Sequence, residues 1–313
     1  MNRTERAKMA QETLDIFQQG YYLSDGNQIE CRSHFSTEFL TEEHLKTISS
    51  AFGSFEPKYT IVNESVVDTV IRLGGEHCGV LNFASAKNPG GGFLKGSLAQ
   101  EEALAAGSDL YNSQLQAHEL YEINRSCRTA LYTHNMIYSR NITFIRDGKL
   151  KLLSSPVTAN VLTAPAVNAG AYYKNERGNK TTVLTSMEQR IRYILNVFAL
   201  KGDSTIILGA YGCGVFGNDV VDVATIFRTL LIDEGMEKHF KHIVFAVYDS
   251  SGQQFDVFKR FFGKSPSHVP LAMGALTTEE LNAELEKGYA DAIAGRLRPL
   301  DEFVAEMERD YGI

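Results

Sequence analysis

Residues 78–102 read CGVLNFASAKNPGGGFLKGSLAQEE, and this stretch decides which fold the chain can adopt. The apolar run 78–84 predicts a buried strand, three glycines follow it, and residues 98–111 are rich in helix formers. A second stretch, TIILGAYGCGVFGND (205–219), also predicts a strand that enters a glycine loop, with a helix after it. Strand, loop and helix in this order indicate an α/β fold.

Further strands and helices alternate outward from these two stretches. Hydrophobic periodicity predicts helices over 3–19, 65–73, 185–202, 220–235 and 252–263, the third of them capped by Thr185 or Ser186. It predicts strands over 59–62, over 159–168, over 242–249, and as a pair around a polar turn within 136–145. The chain should therefore form a mixed, largely parallel central sheet with helices on both faces and an N-terminal helical extension.

Composition places the chain among globular proteins. Of 313 residues, 43% are hydrophobic and 22% are charged, and no apolar run approaches the roughly 20 residues of a membrane span. The N-terminus MNRTERAKMAQETLDIF is a charged amphipathic pattern without an apolar signal region, which favours a cytoplasmic location. Because the four cysteines form no C-x-x-C pair and the histidines form no H-E-x-x-H, neither a disulfide framework nor a protein-bound metal is expected.

The net charge is distributed unevenly along the chain and changes near Pro266. Residues 265–313 carry four Lys/Arg against ten Asp/Glu, a net −6 of the total −7, which leaves residues 1–264 at −1. A near-neutral body argues against a reader of duplex DNA, which depends on phosphate contacts. We therefore expect a domain over 1–264 and an acidic appendage over 265–313, with short helices over 277–293 and 300–310.

The second glycine loop contains the pattern G-x-G-x-x-G at Gly212, Gly214 and Gly217. Glycines between a strand and a helix let backbone N–H groups approach a phosphate, next to the positive end of the helix dipole. A tight strand-to-helix turn would need the same residues. A nicotinamide-binding fold is a further alternative, but there the pattern usually follows the first strand, and here it follows the penultimate one.

The first glycine loop combines Gly90, Gly91 and Gly92 with Gln100, Glu101 and Glu102. Glycines permit positive φ and close contact with a ligand. The glutamates could simply favour the first turn of a helix, where the dipole attracts negative charge. Two such loops in one domain, however, suit a ligand with a diphosphate and a ribose, beside which a carboxylate could perform acid–base chemistry on a glycosidic bond.

The pattern G-G-G, seven residues, Q-E-E resembles the signature of poly(ADP-ribose) glycohydrolases. Together, NFASAKNPGGGFL and GAYGCGVFGND are similar to the compact microbial branch of that family, which is built on a macrodomain. The resemblance covers roughly residues 5–263 and implies a hydrolase without a cofactor that cleaves the ribose–ribose bonds of poly(ADP-ribose), mainly from chain ends. Its ligands would be poly(ADP-ribose) or ADP-ribosylated protein, and its product ADP-ribose.

The resemblance also implies roles for individual residues. Glu102 would be the general acid/base, and Glu101 would position the glutamate pair or a ribose. Gly90–Gly92 would lie under the terminal ribose and near the diphosphate. The diphosphate loop would consist of Gly212, Cys213, Gly214, Val215 and Phe216.

Other residues are open to two interpretations. Phe216 would support the terminal ribose, or it is a core residue. Asn82 and Asn88 would contact ribose hydroxyls, or they bond to local backbone. Gln100 belongs with the predicted substrate contacts. Tyr248 would line the adenine site, or it is a rim or core tyrosine. A nucleophilic Cys213 is disfavoured because no histidine partner is evident.

The acidic end, LEKGYADAIAGRLRPLDEFVAEMERDYGI (285–313), is similar to the toxin-binding end of RelB-type antitoxins. Residues 277–313 would then bind a basic toxin, and the chain would be bacterial or phage-derived. A solvated helical hairpin accounts for the same sequence.

Four functions remain in competition. The first is a poly(ADP-ribose) glycohydrolase, and the second is a macrodomain that binds ADP-ribose without cleaving it. The third is a hydrolase of single ADP-ribose units, and the fourth is a nicotinamide oxidoreductase. The intact Q-E-E triplet favours the first.

Overall fold

The computed structural model describes residues 1–48 and 53–263. Ten helices lie within these ranges: α1 (Arg3–Gln19), α2 (Glu42–Thr47), α3 (Val66–Leu73), α4 (Gln100–Gly107), α5 (Leu110–Leu115), α6 (Glu119–Ser126), α7 (Ala169–Glu176), α8 (Lys180–Lys201), α9 (Val220–Arg228) and α10 (Gln253–Phe262). The same ranges hold nine strands: β1 (Tyr21–Ser24), β2 (Asn27–Glu30), β3 (Ser36–Leu40), β4 (Lys58–Val62), β5 (Cys78–Ala84), β6 (Met136–Arg146), β7 (Leu152–Pro165), β8 (Thr205–Leu208) and β9 (His242–Ala246).

Seven strands form one sheet in the order β3-β6-β7-β5-β8-β9-β4. The five strands from β7 to β4 run parallel, while β6 is antiparallel to both β3 and β7. The predicted mixed, largely parallel sheet is therefore confirmed. Strands β1 and β2 form a separate antiparallel hairpin.

Alternate residues of the central strands serve two apolar layers. On β8, Ile206 and Leu208 pack in the core shared with α8, α9 and α10, whereas Ile207 packs in a second core with residues of α3 and α4. Side chains alternate between the faces of a strand, so a continuous apolar run supplies both layers. Helices thus cover both faces, as the sequence predicts.

The structure differs from the predicted elements in three respects. Residues 136–146 form the single strand β6, and the expected polar turn is a register irregularity against β7 between Ser139 and Ile142. At this irregularity Asn141 adopts a left-handed conformation with φ 57°, and its N–H donates to Asn160 Oδ1 at 3.0 Å. Helix α8 begins at Lys180 because the Asn179 side chain caps it, so a cap at Thr185 or Ser186 was wrong.

The third difference is that one strand and one helix end earlier than predicted. Strand β9 stops at Ala246, and α9 stops at Arg228, where a π-helical turn over Thr229–Asp233 continues the chain. The helices predicted over 277–293 and 300–310 lie outside the described residues. Within the described ranges, no helix is long and apolar enough to cross a bilayer.

Candidate functional site

The two glycine loops meet at one edge of the sheet. Strands β5 and β8 are parallel neighbours, so the loops that follow them leave from adjacent carboxyl ends. At the start of these loops Phe83 and Tyr211 are in edge-to-face contact, with ring centroids 5.7 Å apart. The loop after β7 joins them, because a Cβ on Gly212 would lie 2.7 Å from the Ala166 methyl group.

The first loop closes around the Glu102 carboxylate. Gly90 and Gly91 have φ values of 61° and 58°, in the left-handed region. A Cβ on Gly91 would lie 2.5 Å from Glu102 Oε1, and the Gly92 N–H donates to that same oxygen at 3.0 Å. The consecutive glycines therefore bring backbone against a carboxylate, which side chains would prevent.

Gln100 fixes the start of α4 to the sheet. Its Oε1 accepts from the Phe83 N–H at 2.8 Å, and its Nε2 donates to the Leu81 carbonyl at 2.7 Å. Pairing of β5 with β8 ends at Val80, so this side chain takes the place of a neighbouring strand. Both polar groups of Gln100 are engaged by backbone, which makes it an anchor of α4, and a substrate contact by Gln100 stays a prediction.

Glu101 lies below the surface of the site with 3% of its area exposed. Its Oε2 accepts from the Ser85 N–H at 2.7 Å, and its Oε1 accepts from Gln114 Nε2 at 3.0 Å and Asn82 Nδ2 at 3.3 Å. Burial raises the pKa of Glu101 to about 8, against the opposing effect of these donors. The two adjacent glutamates thus have different environments, one buried and fully engaged, the other half-buried beside the glycines.

Asn82 and Asn88 occupy different positions. Asn82 is fully buried. Its Nδ2 donates to Glu101 and also lies 3.2 Å from Thr163 Oγ1, to which it donates as well. Its Oδ1 has no hydrogen-bond partner among the described residues. Asn88 is exposed, and its backbone carbonyl accepts from the Gly91 N–H at 3.0 Å. The Asn82 side chain thus bonds to Glu101 and Thr163, and a ribose contact of either asparagine stays a prediction.

The second loop leaves consecutive backbone donors unused. Gly212 and Gly217 have φ values of 74° and 66°. Within the described part of the chain, the N–H groups of Gly214, Val215 and Phe216 make no hydrogen bond, and Val215 is 92% exposed at the tip. Successive free amides in such a turn form a concave anion site.

The helix after this loop contributes less than predicted. The Asp219 side chain caps α9 by accepting from the N–H groups of Val221 and Asp222, at 2.8 and 3.0 Å. A carboxylate therefore already occupies the positive end of this helix dipole. In the first loop the N–H groups of Gly90, Gly91 and Gly92 are all bonded within the protein. Any phosphate cradle would thus rest on the tip of the second loop.

Aromatic residues lie between the two loops. The rings of Phe216 and Tyr132 are 6.2 Å apart, and Lys87 Nζ lies 6.0 Å from the centre of the Tyr132 ring. Phe216 also packs against the main core, and its role at the terminal ribose stays a prediction. Tyr248 lies beyond the end of β9 and is 75% exposed, at a rim position.

Cys213 has the environment of an unreactive thiol. Its Sγ lies 3.7 Å from the Tyr211 carbonyl, and burial raises the pKa of the thiol to about 12. Because a thiolate is the nucleophilic form, this cysteine stays protonated and inert near neutral pH.

Sequence reasoning missed Gln114 on α5, which connects the glycine loop to Glu101. Its Oε1 accepts from the Gly90 N–H at 2.8 Å while its Nε2 donates to Glu101. Thr163 on β7 and Tyr132 were missed as well. No local pattern marks these residues, because their contacts depend on the order of strands in the sheet.

Both the sequence and the structure of this chain are similar to known proteins. Residues 10–147 match the family model described as microbial-type PARG, catalytic domain. That match includes the first glycine loop and both glutamates but ends before the second loop. Comparison with curated proteins gave no significant match.

Solved structures similar to this chain include poly(ADP-ribose) glycohydrolase from Thermomonospora curvata, at 32% identity and a TM-score of 0.78. That match covers 83% of this chain and 100% of the other. The enzyme from Deinococcus radiodurans in complex with ADP-ribose is 40% identical with a TM-score of 0.68, over 72% of this chain and 93% of the other. The structure of the Thermomonospora enzyme bound to the inhibitor ADP-HPD also matches, with a TM-score of 0.76 at 32% identity over the same shares of both chains.

Proposed function

The chain belongs to the microbial-type poly(ADP-ribose) glycohydrolase family, whose members are glycoside hydrolases, and we propose that Glu102 carries its catalytic proton transfers. The supporting observation is the Gly92 N–H bond to Glu102 Oε1, which fixes a half-buried carboxylate at the glycine loop. The substrate is poly(ADP-ribose), and the bond cleaved is the O-glycosidic bond between two riboses.

Glu102 acts first as an acid and then as a base. Its proton passes to the departing ribose oxygen while the terminal ribose takes on oxocarbenium character. The carboxylate then accepts a proton from the water that adds to the sugar, which restores Glu102 and releases ADP-ribose. General acid–base catalysis contributes about 10²–10⁴-fold in rate, so removal of this group should be severe.

Glu101 supports Glu102 from below without reaching the sugar. Its carboxyl group is buried and accepts hydrogen bonds from three donors. Its raised pKa allows Glu101 to be neutral near pH 7. A neutral Glu101 would let the Glu102 carboxylate form without a second negative charge beside it. The pair therefore differs from the opposed carboxylates of ordinary glycosidases.

The remaining contacts follow from the shape of the site. The free amides at the tip of the second loop would hold the diphosphate, with Gly212 and Cys213 completing the turn. Phe216 and Tyr132 would support the terminal ribose over Gly90–Gly92. Asn88 would contact ribose hydroxyls, and Tyr248 would lie at the adenine rim.

Release of ADP-ribose from purified poly(ADP-ribose) tests this proposal. Wild type, Glu102→Ala and the control Glu122→Ala, an exposed glutamate of α6, are compared, with ADP-ribose affinity measured for each. We expect release by wild type and Glu122→Ala, and a fall of at least about 10²-fold for Glu102→Ala with retained binding.

Two outcomes point to the other functions. A folded wild type that binds ADP-ribose but releases none from the polymer would contradict the proposal. It would favour a non-catalytic macrodomain, or a hydrolase of single units if ADP-ribosylated protein is then processed. Binding of NAD in preference to ADP-ribose would instead favour the oxidoreductase.

The boundary and setting of the enzyme are also proposals. We assign the catalytic domain to residues 1–264 and place it in the bacterial cytoplasm, since the similar solved structures come from bacteria. Residues 277–313, which lie outside the described residues, are proposed as a site for a basic toxin because of their acidic charge.

A further inference from the structure

Helix α1 lies directly against the segment that carries Glu102. Arg3 Nε donates to the Lys95 carbonyl at 2.8 Å, and Arg6 Nε donates to the Gly96 carbonyl at 2.9 Å. Gly96 has φ 73°, and a Cβ there would overlap the Arg3 carbonyl oxygen. The two arginines therefore hold the short helical turn Phe93–Lys95 and the glycine after it.

This turn is connected to the catalytic carboxylate through Gly92. The N–H groups of Lys95 and Ser97 donate to the Gly92 carbonyl at 2.9 and 3.1 Å. The N–H of the same Gly92 donates to Glu102 Oε1. A chain of hydrogen bonds thus runs from Arg6 through Gly96, Ser97 and Gly92 to the carboxylate.

Helix α1 also holds the far end of α4. Thr13 Oγ1 donates to the Ala106 carbonyl at 2.7 Å and accepts from Arg146 Nε at 2.9 Å. Arg146 is 1% exposed, and its Nη2 lies 3.1 Å from Glu12 Oε2. A buried arginine engaged by two residues of one helix fixes that helix firmly. Arg6 and Thr13 consequently hold both ends of the segment 92–106.

Arg6 and Glu102 also line the same small cavity, together with Ser97 and Asp147. Its volume of about 20 Å³ suffices for one water molecule. Arg6 therefore lines a cavity shared with Glu102 and also bonds the turn that leads to it.

We propose that Arg6 is a positioning residue for the glycohydrolase reaction, acting on Glu102 through the Gly92–Ser97 turn. This inference rests on the proposed function. It gives a role to α1, which the sequence predicts only as an N-terminal extension. Arg6 precedes residue 10, where the match to the family model begins. Substrate affinity should depend little on Arg6, because the proposed diphosphate contacts lie on the second glycine loop.

Arg6→Ala in the full chain tests this, with Lys8→Ala as matched control. Lys8 is an exposed cation of the same helix, and its side chain makes no hydrogen bond or ion pair within the described ranges. We expect kcat of Arg6→Ala to fall about 10- to 100-fold, since a displacement of about 1 Å can cost 10²-fold. ADP-ribose affinity should stay within about twofold, and Lys8→Ala should behave as wild type.

Two further readouts separate positioning from loss of folding. Amide hydrogen exchange over residues 92–99 should quicken in Arg6→Ala while the strands keep their protection. Millimolar guanidinium should restore part of kcat in Arg6→Ala and none in Glu102→Ala, and Arg6→Lys should be intermediate.

The contrary outcomes are distinct. Unchanged exchange over 92–99 would overturn the proposal whatever the activity. Quicker exchange with unchanged kcat would also overturn it, because the turn would then not position Glu102. An inactive wild type would contradict the proposed function instead, and the exchange experiment would still decide whether Arg6 orders the turn.

Discussion

Gly91 is the residue at which backbone and carboxylate come closest. Its φ of 58° is unfavourable for other residues, and a Cβ would lie 2.5 Å from Glu102 Oε1. Gly91→Ala should therefore displace Glu102 and reduce kcat about 10²-fold, because a misplaced catalytic group loses most of its effect. Steady-state release of ADP-ribose measures this.

Gly26→Ala separates the two causes. Gly26 has φ 81°, but a Cβ there would meet nothing within 4 Å. This variant carries comparable backbone strain without the clash, so it should lose some stability and keep its activity. Equal loss of kcat in both variants would show that the contact with Glu102 is unimportant.

The buried Glu101 predicts how stability depends on pH. Its pKa rises from an ordinary 4.5 to about 8 in the folded protein, because of burial. Below about pH 4.5 Glu101 is protonated in both the folded and the unfolded state, and its contribution to the free energy of unfolding is fully present. Between 4.5 and 8 the unfolded chain loses this proton and the folded protein keeps it, so stability falls as pH rises.

Urea unfolding of wild type and Glu101→Gln from pH 5 to 8.5 measures this dependence. Each pKa unit corresponds to about 1.4 kcal/mol, so the wild type should lose a few kcal/mol that Glu101→Gln does not. Glu101→Gln should therefore become more stable relative to the wild type as pH rises. Parallel pH curves would contradict a buried, neutral Glu101.

At the residue scale, the sequence predicted what is local. The glycines and glutamates were found because they stand in one stretch with a fixed spacing. Gln114 could not be found, since its role depends on α5 lying beside the glycine loop. Gln100 was found, but its bonds to the backbone of β5 were not predicted, because only the structure reveals that its amide completes the edge of that strand.

Helix α4 depends on this amide for its position. The residue before it, Ala99, offers no side-chain cap, and Gln100 bonds instead to the Phe83 N–H and the Leu81 carbonyl. Gln100→Met would keep the volume and leave two backbone groups unpaired, at a cost of about 1–3 kcal/mol each if buried. Both the free energy of unfolding and kcat should fall.

Gln116→Met provides the control for this change. Gln116 is exposed just beyond α5, so its replacement should leave stability within about 0.5 kcal/mol. Denaturant titration and activity assays of the two variants give the comparison. A Gln100→Met protein as stable and active as wild type would mean that α4 is held by packing alone.

At the element scale, prediction succeeded where capping and periodicity agree. The boundaries of α1 and β5 were predicted to the residue, because Asn2 caps the first and the second is a short apolar run. The start of α8 was missed because Asn179 caps a polar first turn with no apolar period. The bulge in β6 was predicted as a turn, since a local polar pair does not reveal the partner strand.

At the scale of the whole molecule, the order of strands creates the site. Residues 78–102 and 205–219 are distant in sequence, and only the adjacency of β5 and β8 brings their loops together. The sequence predicted a largely parallel sheet and the edge where ligands bind, but several strand orders satisfy the same pattern. Neither Tyr132 nor Gln114 could be assigned to the site without that order.

The last described helix, α10, marks where the catalytic domain should end. Phe258 and Phe262 are 0% and 4% exposed, and the Phe262 ring stacks on Phe245 of β9 with centroids 4.4 Å apart. Loss of one buried phenylalanine typically costs about 3–5 kcal/mol. A chain that stops before α10 should therefore fail to fold.

A chain ending at Gly263 keeps this packing and every residue placed in the site. We expect it to fold, to unfold within about 1 kcal/mol of the full chain, and to release ADP-ribose with an unchanged kcat. A chain ending at Gly252 is the control that should be insoluble or unfolded by circular dichroism. If the chain ending at Gly263 were folded but inactive, residues 264–313 would be required for catalysis, and the proposed boundary would be wrong.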